Sequence, residues 1–574
     1  MSSATPAPAA PRVRRLPLAG VLRMSRPSDI WFKPALSVVV STALPNLILM
    51  ALGRLDLAMY TMAGSLCALY AHNRPYAARA RTLAWVVLGM IAGLAVALTA
   101  ASLTDSAVVL VTVGALLAAV QKALCDATRL GPPAHVIFTF ITSSALFAPQ
   151  TLGQIPGHLA LAAAAGAWAW LVGMAPVLLR PHGPERRATA QALNAAAAYV
   201  TARATGSVAQ GRDRARVAAA AAIQAAWQSL LATGSRSART RRALERLVVR
   251  AEIALAAPAD TDPERLRSWA RELCGRGPIP VVGTPEAADE LLGAEAELAA
   301  PARPLWHRLG PLAPLAVRTA LGCALAGYVS LALGVGRPYW ALVTAASLYQ
   351  ANIALTWTRG VQRVVGNLAG VLVFAAVIPL AHLAPAALVL CCLAFNFGAE
   401  ALMGRNYWLG SVCVTPMALL VTEFAGFQEP GRLITERVVD TLVGALVGFV
   451  AAVAVTNRRA GDRVEEALAA VEHARERAAG LLATAGPDPD SRLLATPSQA
   501  PLALESARRG LAAALVDLRA TFDAASGEWW QRALPQERVV RAEQAGHRTL
   551  AETVRRQGRH LDARRSTSSE GVRP

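Results

Sequence analysis

Apolar residues fall in long runs within two blocks, 34–180 and 311–457, and polar residues gather between and after them. A bilayer core about 30 Å thick takes about 20 apolar residues as helix, with tolerance down to about 17. On that measure the first block predicts spans at 35–53, 56–72, 83–102, 106–122, 134–150 and 158–179. The second predicts 313–334, 338–355, 364–383, 385–402, 406–423 and 436–456. The shorter runs 56–72 and 134–150 also fit re-entrant segments. The expected fold is an all-α polytopic membrane protein with two six-helix transmembrane halves and helical cytoplasmic regions.

Charge tests this layout independently of hydropathy. Cytoplasmic connectors accumulate Arg and Lys. Arg74, Arg79 and Arg81, then Lys122 and Arg129, then Arg180 follow every second predicted span. Arg359 and Arg363, Arg405, and Arg458, Arg459 and Arg463 repeat the rhythm in the second block. The intervening connectors hold Arg54, Arg337 or Arg432 alone, or no basic residue. Both termini are therefore expected on the cytoplasmic side of the plasma (inner) membrane. An even span number per half makes the expected repeat parallel, about an axis along the membrane normal. Leu69–Tyr70 then matches Leu348–Tyr349, and Arg81 matches Arg363.

Outside the blocks, 1–33 is a basic cytoplasmic segment with no cleavable-signal pattern. Region 181–310 carries Leu244, Leu247, Val248, Ala251 and Leu255 at helical spacing. It is broken at Gly275–Pro280. Region 458–562 opens with a stripe of Val464, Leu468, Val471, Ala478 and Leu482, followed by a Pro-rich linker at 485–503 and helix again over 504–560. The tail 563–574 has the composition of disorder. These soluble helices are expected to pack on one another or to join a homo-oligomer, with a dimer the simplest form.

Composition narrows the chemistry. Hydrophobic residues make up 54% and charged residues 17%, below the quarter usual in soluble domains, so lipid is the expected solvent. The net charge of +19 then reads as inside-positive loops rather than as a nucleic-acid surface. Lys33 and Lys122 are the only lysines, and neither sits in a Gly-Lys-Ser/Thr loop, which excludes a Walker-type ATP site. The nine His residues give no HExxH pattern and the seven Cys no zinc or disulfide spacing. No metal, cofactor or enzymatic activity is expected, and the cysteines read as small buried hydrophobes.

The stretch Arg337–Gly370 holds the most information. Arg337-Pro338-Tyr339-Trp340 enters a span, Gln350 lies within it, Arg359, Gln362 and Arg363 follow, and Gly366 and Gly370 open the next. This arrangement resembles the fusaric acid resistance-like family of integral membrane transporters, which includes aromatic acid exporters and plant anion channels. The resemblance runs over about 311–457 and more weakly over 34–180. It implies export of small organic acids, aromatic ones among them, coupled to protons. A passive organic-anion channel and a non-transporting scaffold with cytoplasmic interaction helices stay open.

The residues support separate readings of their own. Gly366 and Gly370 form a small-xxx-small pair for helix packing. Tyr339 and Trp340 are expected as boundary anchors, with stacking on an aromatic substrate the alternative. Arg359 and Arg363 share a helix face, as topological charge or as a carboxylate clamp with Gln362. Gln350 and Asn352, inside a span, need polar partners or a water-filled path. Glu400, Glu436 and Asp440 are the proton-coupling candidates, placed near the interface, with Asp440 foremost.

Overall fold

The computed structural model describes residues 16, 18–25, 30–206, 209–232, 238–256, 258–275, 277–281, 308–455, 460–484, 500–528, 534–550 and 552–553. The first membrane block comprises α1 (Phe32–Ala51), α2 (Ala58–Ser65, extended by 3-10 turns to 55–69), α3 (Tyr76–Leu103), α4 (Ala107–Ala127), α5 (Val136–Leu146), α6 (Ile155–Met174) and the single turn α7 (Pro176–Leu179). Then come the soluble helices α8 (Gly183–Ala204), α9 (Ala209–Leu231), α10 (Ala238–Ala256) and α11 (Pro263–Cys274). The second block holds α12 (Ala313–Ala332), α13 (Tyr339–Leu348), α14 (Ile353–Ala381), α15 (Pro385–Met403), α16 (Tyr407–Glu423) and α17 (Pro430–Ala454). The soluble helices α18 (Ala460–Thr484) and α19 (Ala500–Ser526) follow, and 536–550 is helical. No strand occurs among the described residues.

Eight helices are long and apolar enough to cross a bilayer, counted among the described residues. Their outward faces keep large apolar side chains exposed, such as Trp85, Leu372 and Leu390, as a lipid solvent requires. Four of the expected spans are shorter. At about 1.5 Å rise per residue, α5 and α13 reach about half a bilayer core. The shortness of 136–146 was foreshadowed in the apolar run, but that of 339–348 was not. Every residue of α13 is buried, so its continuous apolar run reflects protein on all sides and not lipid. The run 338–355 is thus not one span. Residues 349–352 leave the helix, and Asn352 restarts the chain as the N-cap of α14, its Oδ1 accepting from the Leu355 N–H at 2.9 Å.

Packing follows the same order in both blocks. In the first, α2 lies on α6, α3 on α5 and α6, and α4 on α5. In the second, α13 lies on α17, α14 on α16 and α17, and α15 on α16. Between blocks, α1 packs on α15 and α4 on α12. The loops sort to two ends. At one end Arg74 donates to the Arg129 carbonyl (3.0 Å), Arg318 to the Val455 carbonyl (2.9 Å), and Ser25 to the Arg405 carbonyl (2.5 Å). At the other, Arg337 bonds Gln428 and pairs with Glu436 at 3.5 Å, which Arg432 also reaches at 2.9 Å.

The soluble helices form two cores that pack together. Leu244, Leu247, Val248 and Ala251 are buried among α8–α11, Val464, Leu468, Val471 and Ala478 line the α18–α19 core, and Leu482 is buried at the end of the same stripe. Helix α19 begins at Ala500, inside the expected linker 485–503, because the chain from there is an apolar stripe paired with α18. The rest of that linker and the tail 563–574 lie outside the described residues. Between the cores, Arg508 binds Glu252, and the Arg509 guanidinium lies 4.2 Å over the Trp227 ring. This assembly sits on the first end of the membrane domain, where the Ala354 N–H donates to the Gly527 carbonyl at 3.1 Å.

Candidate functional site

Helix α14 supplies the first half of the site. Arg359 and Arg363 are one turn apart and grip the same ring. The Arg359 guanidinium stacks 3.9 Å over Tyr407, and Arg363 Nη1 donates to the Tyr407 hydroxyl at 3.1 Å. Close approach of α14 to α16 is what brings Tyr407 there. A Cβ on Gly366 would lie 2.5 Å from Ser411 Cβ, and one on Gly370 would lie 2.7 Å from Thr415 Cβ, so only glycine fits either crossing. One helical turn beyond Arg363, Asn367 ties three helices. Its Nδ2 donates to Thr441 on α17 (2.9 Å), and its Oδ1 accepts from Thr415 on α16 (2.5 Å).

Helix α17 supplies the second half. It starts at Pro430, not at 436, so Asp440 sits ten residues inside. That is about 15 Å along the axis from the start of the helix and one turn beyond Glu436 of the Arg337–Arg432 ion-pair group. Hydropathy misplaced this helix because its first two turns carry Arg432, Glu436 and Arg437. Arg437 is 1% exposed, and its guanidinium lies 3.9 Å over the Trp340 ring. Arg363, Tyr339, Tyr407 and Asp440 are within its electrostatic reach. Ser330 on α12 donates to Asp440 Oδ1 at 2.5 Å.

The hydrogen-bond accounts of this cluster do not close. Arg437 Nε and Nη1, Arg363 Nε and Asp440 Oδ2 are buried without a partner. Neither Arg363 nor Arg437 has an ion pair among the described residues. An unmade buried bond costs about 1–3 kcal/mol, and more for a charged group. Two guanidiniums short of acceptors, beside the N-terminal, partly positive end of α13, make a region suited to a carboxylate. Tyr339, Trp340 and Tyr407 give it aromatic walls. The expected boundary role of Tyr339 and Trp340 is corrected: they are 6% and 2% exposed and meet Phe147 (5.8 Å) and Phe140 (5.7 Å) of the first block.

The other candidates lie elsewhere. Gln350 is in the break between α13 and α14, and its side chain donates to the Tyr349 carbonyl at 3.3 Å. Its polarity serves a backbone carbonyl at a helix end, and Asn352 serves as a cap. Gln362 donates to the Val21 carbonyl at 2.9 Å, holding the N-terminal segment, which Asn406 and Trp408 also bind. Glu436 belongs to the ion-pair group with Arg337 and Arg432 at the opposite end. Glu400 is on α15, which packs on α1, and lies within electrostatic reach of Tyr70 in the first block rather than of Asp440. Its sequence neighbour Arg405 makes no ion pair with it among the described residues.

Sequence reasoning missed Tyr407, Asn367, Ser330 and above all Arg437. Tyr407 had a signal, since Arg405-Asn406-Tyr407-Trp408 echoes Arg337-Pro338-Tyr339-Trp340. No group of three potential metal ligands occurs among the described residues. Four of the cysteines are buried, Cys274 is exposed, and all are unpaired.

No curated protein and no solved structure matches the chain. Residues 324–451, which hold every member of the Arg363–Arg437–Asp440 cluster, match the family model for the fusaric acid resistance protein-like domain, and with its eight long apolar helices the chain is a multi-pass membrane protein similar to that family over this segment.

Proposed function

We propose that this protein is a secondary transporter that exports small organic acids, aromatic acids among them, across the plasma (inner) membrane at the expense of a proton gradient. The observation that carries the reading is the buried pair Arg363 and Arg437, short of acceptors and walled by Tyr339, Trp340 and Tyr407. A carboxylate entering there supplies the missing acceptors in the bidentate geometry a guanidinium prefers. An aromatic ring attached to it finds ring faces rather than water.

Asp440 is the proton carrier in this scheme. It lies one turn from Arg437, and its free oxygen has no partner to hold its charge. Binding the anion near Arg437 and protonating Asp440 are therefore coupled through space, and an intramembrane carboxylate is the usual device for such coupling. The matching order of helix pairs in the two blocks supports a parallel duplication. Rocking of one block against the other about α1–α15 and α4–α12 would expose the site alternately. The Arg-rich end that carries both soluble assemblies faces the cytoplasm, and so do both termini. The soluble helices hold a homo-oligomer, in the simplest case a dimer, and no covalent chemistry is involved.

The test is uptake of radiolabelled aromatic and aliphatic carboxylates into proteoliposomes with and without an imposed pH gradient. Accumulation that collapses on adding a protonophore is the expected result. Currents that persist at equal pH would make the protein a channel instead. Flux at the level of empty liposomes across the whole panel would leave a scaffold.

A further inference from the structure

The seam between the two soluble assemblies contains a cleft of about 250 Å³, far from the arginine cluster in the membrane. Its walls are α9 and α10 on one side, and α19 with residues 536–550 on the other. It exists because small residues face each other: Ala220 and Ala221 on α9 look across to Ala512 and Ala520 on α19. Two helices separated by alanines alone would close on each other. The larger Ile223, Leu255, Leu515 and Leu550 hold them apart and complete an apolar slot.

Charges in the lining are already matched. Glu252 binds Arg508, and Glu543 lies between Arg216 (3.4 Å) and Arg519 (3.6 Å), which also pairs with Asp523 at 3.3 Å. An anionic ligand would face three carboxylates, and a cationic one would face two guanidiniums. Burial pushes the His547 imidazole down to about 4, so the ring is neutral near pH 7. Neutral Gln224 and His547 line the cleft and make no side-chain hydrogen bond among the described residues. They offer hydrogen bonds, and the Arg508 and Arg519 planes and the His547 ring suit a flat π-face. An apolar cavity of about 150 Å³ holds benzene, so this one has the volume of a two-ring molecule.

We propose that this cleft binds a small uncharged aromatic molecule of one or two rings bearing one hydrogen-bonding group, as a ligand separate from any transported anion. Helix α19 runs from the cleft to Gly527, whose carbonyl receives the N–H of Ala354 at the start of α14. An occupied cleft thus stiffens the helix that rests on the α13–α14 break.

Titration calorimetry on the full chain in lipid nanodiscs tests this with three probes of one ring system: indole, indole-3-acetate and tryptamine. Indole is expected to bind saturably at one site per chain, with the charged analogues at least about tenfold weaker, or about 1.4 kcal/mol. Ala512→Trp and Ala220→Phe fill the slot from opposite walls and should each abolish the saturable heat. Non-saturating heat equal to that of empty nanodiscs, indole binding retained in both filled variants, or an indole-3-acetate heat tighter than that of indole which both filled variants abolish would overturn the proposal. Should a variant fail to fold, the wild-type melting temperature decides. A rise with indole and not with indole-3-acetate supports the site, and no rise refutes it.

Discussion

Helices α6 and α17 are the last long helices of the two membrane blocks, and both bury Gly and Ala, but only α17 buries charge as well. The buried residues of α6 are Ile155, Ala162, Ala165, Gly166, Ala169 and Gly173. Those of α17 include Glu436, Arg437, Asp440 and Thr441. The backbones nevertheless meet their partners alike. A Cβ at Gly64 on α2 would lie 2.2 Å from the Ala162 carbonyl oxygen on α6, and one at Gly444 on α17 would lie 2.4 Å from the Ala341 carbonyl oxygen on α13. The first block keeps the packing with fewer buried charges: Arg79 is buried beside His72 (3.1 Å), and Lys122 is paired with Asp126 at 2.8 Å. Its buried polar groups are mostly neutral, as in Gln121, which bonds Thr139 and Thr142 at 3.1 and 3.3 Å. On the proposed function, the first block serves mainly as scaffold and the Arg363–Arg437–Asp440 cluster of the second carries the chemistry.

Five variants probe this division, from the largest expected effect to the smallest. Asp440→Asn removes the charge but keeps the hydrogen bond to Ser330. Accumulation against a pH gradient should fall at least about tenfold while anion exchange at equal pH continues, because an intramembrane carboxylate serves coupling rather than binding. Equal loss of both would place Asp440 in binding or folding instead. Gly64→Val and Gly444→Val should each destabilise the protein by about 1–3 kcal/mol, read as melting temperature in detergent, since overpacking is penalised alike in both blocks. A penalty confined to the second block would show that the packing is not shared.

Gln121→Met should cost about 1 kcal/mol of stability, by stranding the Thr139 hydroxyl while that of Thr142 still donates to the Phe138 carbonyl at 2.9 Å, and leave anion flux within about twofold. A large loss of flux at unchanged stability would put chemistry in the first block too. Removing residues 1–25 deletes the segment held by Gln362, Asn406 and Trp408 beside Arg359. Flux should rise by about twofold as the end of α14 near Arg359 is uncovered, a small effect because the segment touches none of Arg363, Arg437 and Asp440. A fall in flux would mean the segment shapes the path.

Much of the fold was legible in the sequence, for physical reasons that can be traced. The alternation of Arg-rich and Arg-poor connectors sorted the loops to two ends, because charge placement obeys the membrane whatever the packing does. The soluble stripes at Leu244–Leu255 and Val464–Leu482 came out buried, because helical periodicity follows from a one-sided core. The stretch 338–355 misled because hydropathy treats protein interior and lipid as the same solvent. Residues Tyr339–Leu348 are apolar on every face for the first reason, and the polar Gln350–Asn352 marks the break.

The site was only half legible. Arg359 and Arg363 declared themselves by spacing, and Gly366 and Gly370 by theirs. Arg437 did not, since a charged residue near the start of an apolar run looks like a boundary residue until the helix is seen to begin two turns earlier. Its stacking on Trp340, ninety-seven positions away (437 − 340 = 97), is a tertiary fact that no local pattern encodes.

The central claim is that Arg437 is buried for an anion and not for the fold. The direct measurement is carboxylate flux and melting temperature, side by side, for wild type and Arg437→Met at equal reconstitution. Replacing an unpaired buried charge by an apolar side chain of similar length is neutral or stabilising by about 1–4 kcal/mol when the charge served no partner in the fold. The account predicts that flux falls to background while the melting temperature holds or rises. Flux retained in the variant, or a melting temperature that drops along with the flux, would contradict it.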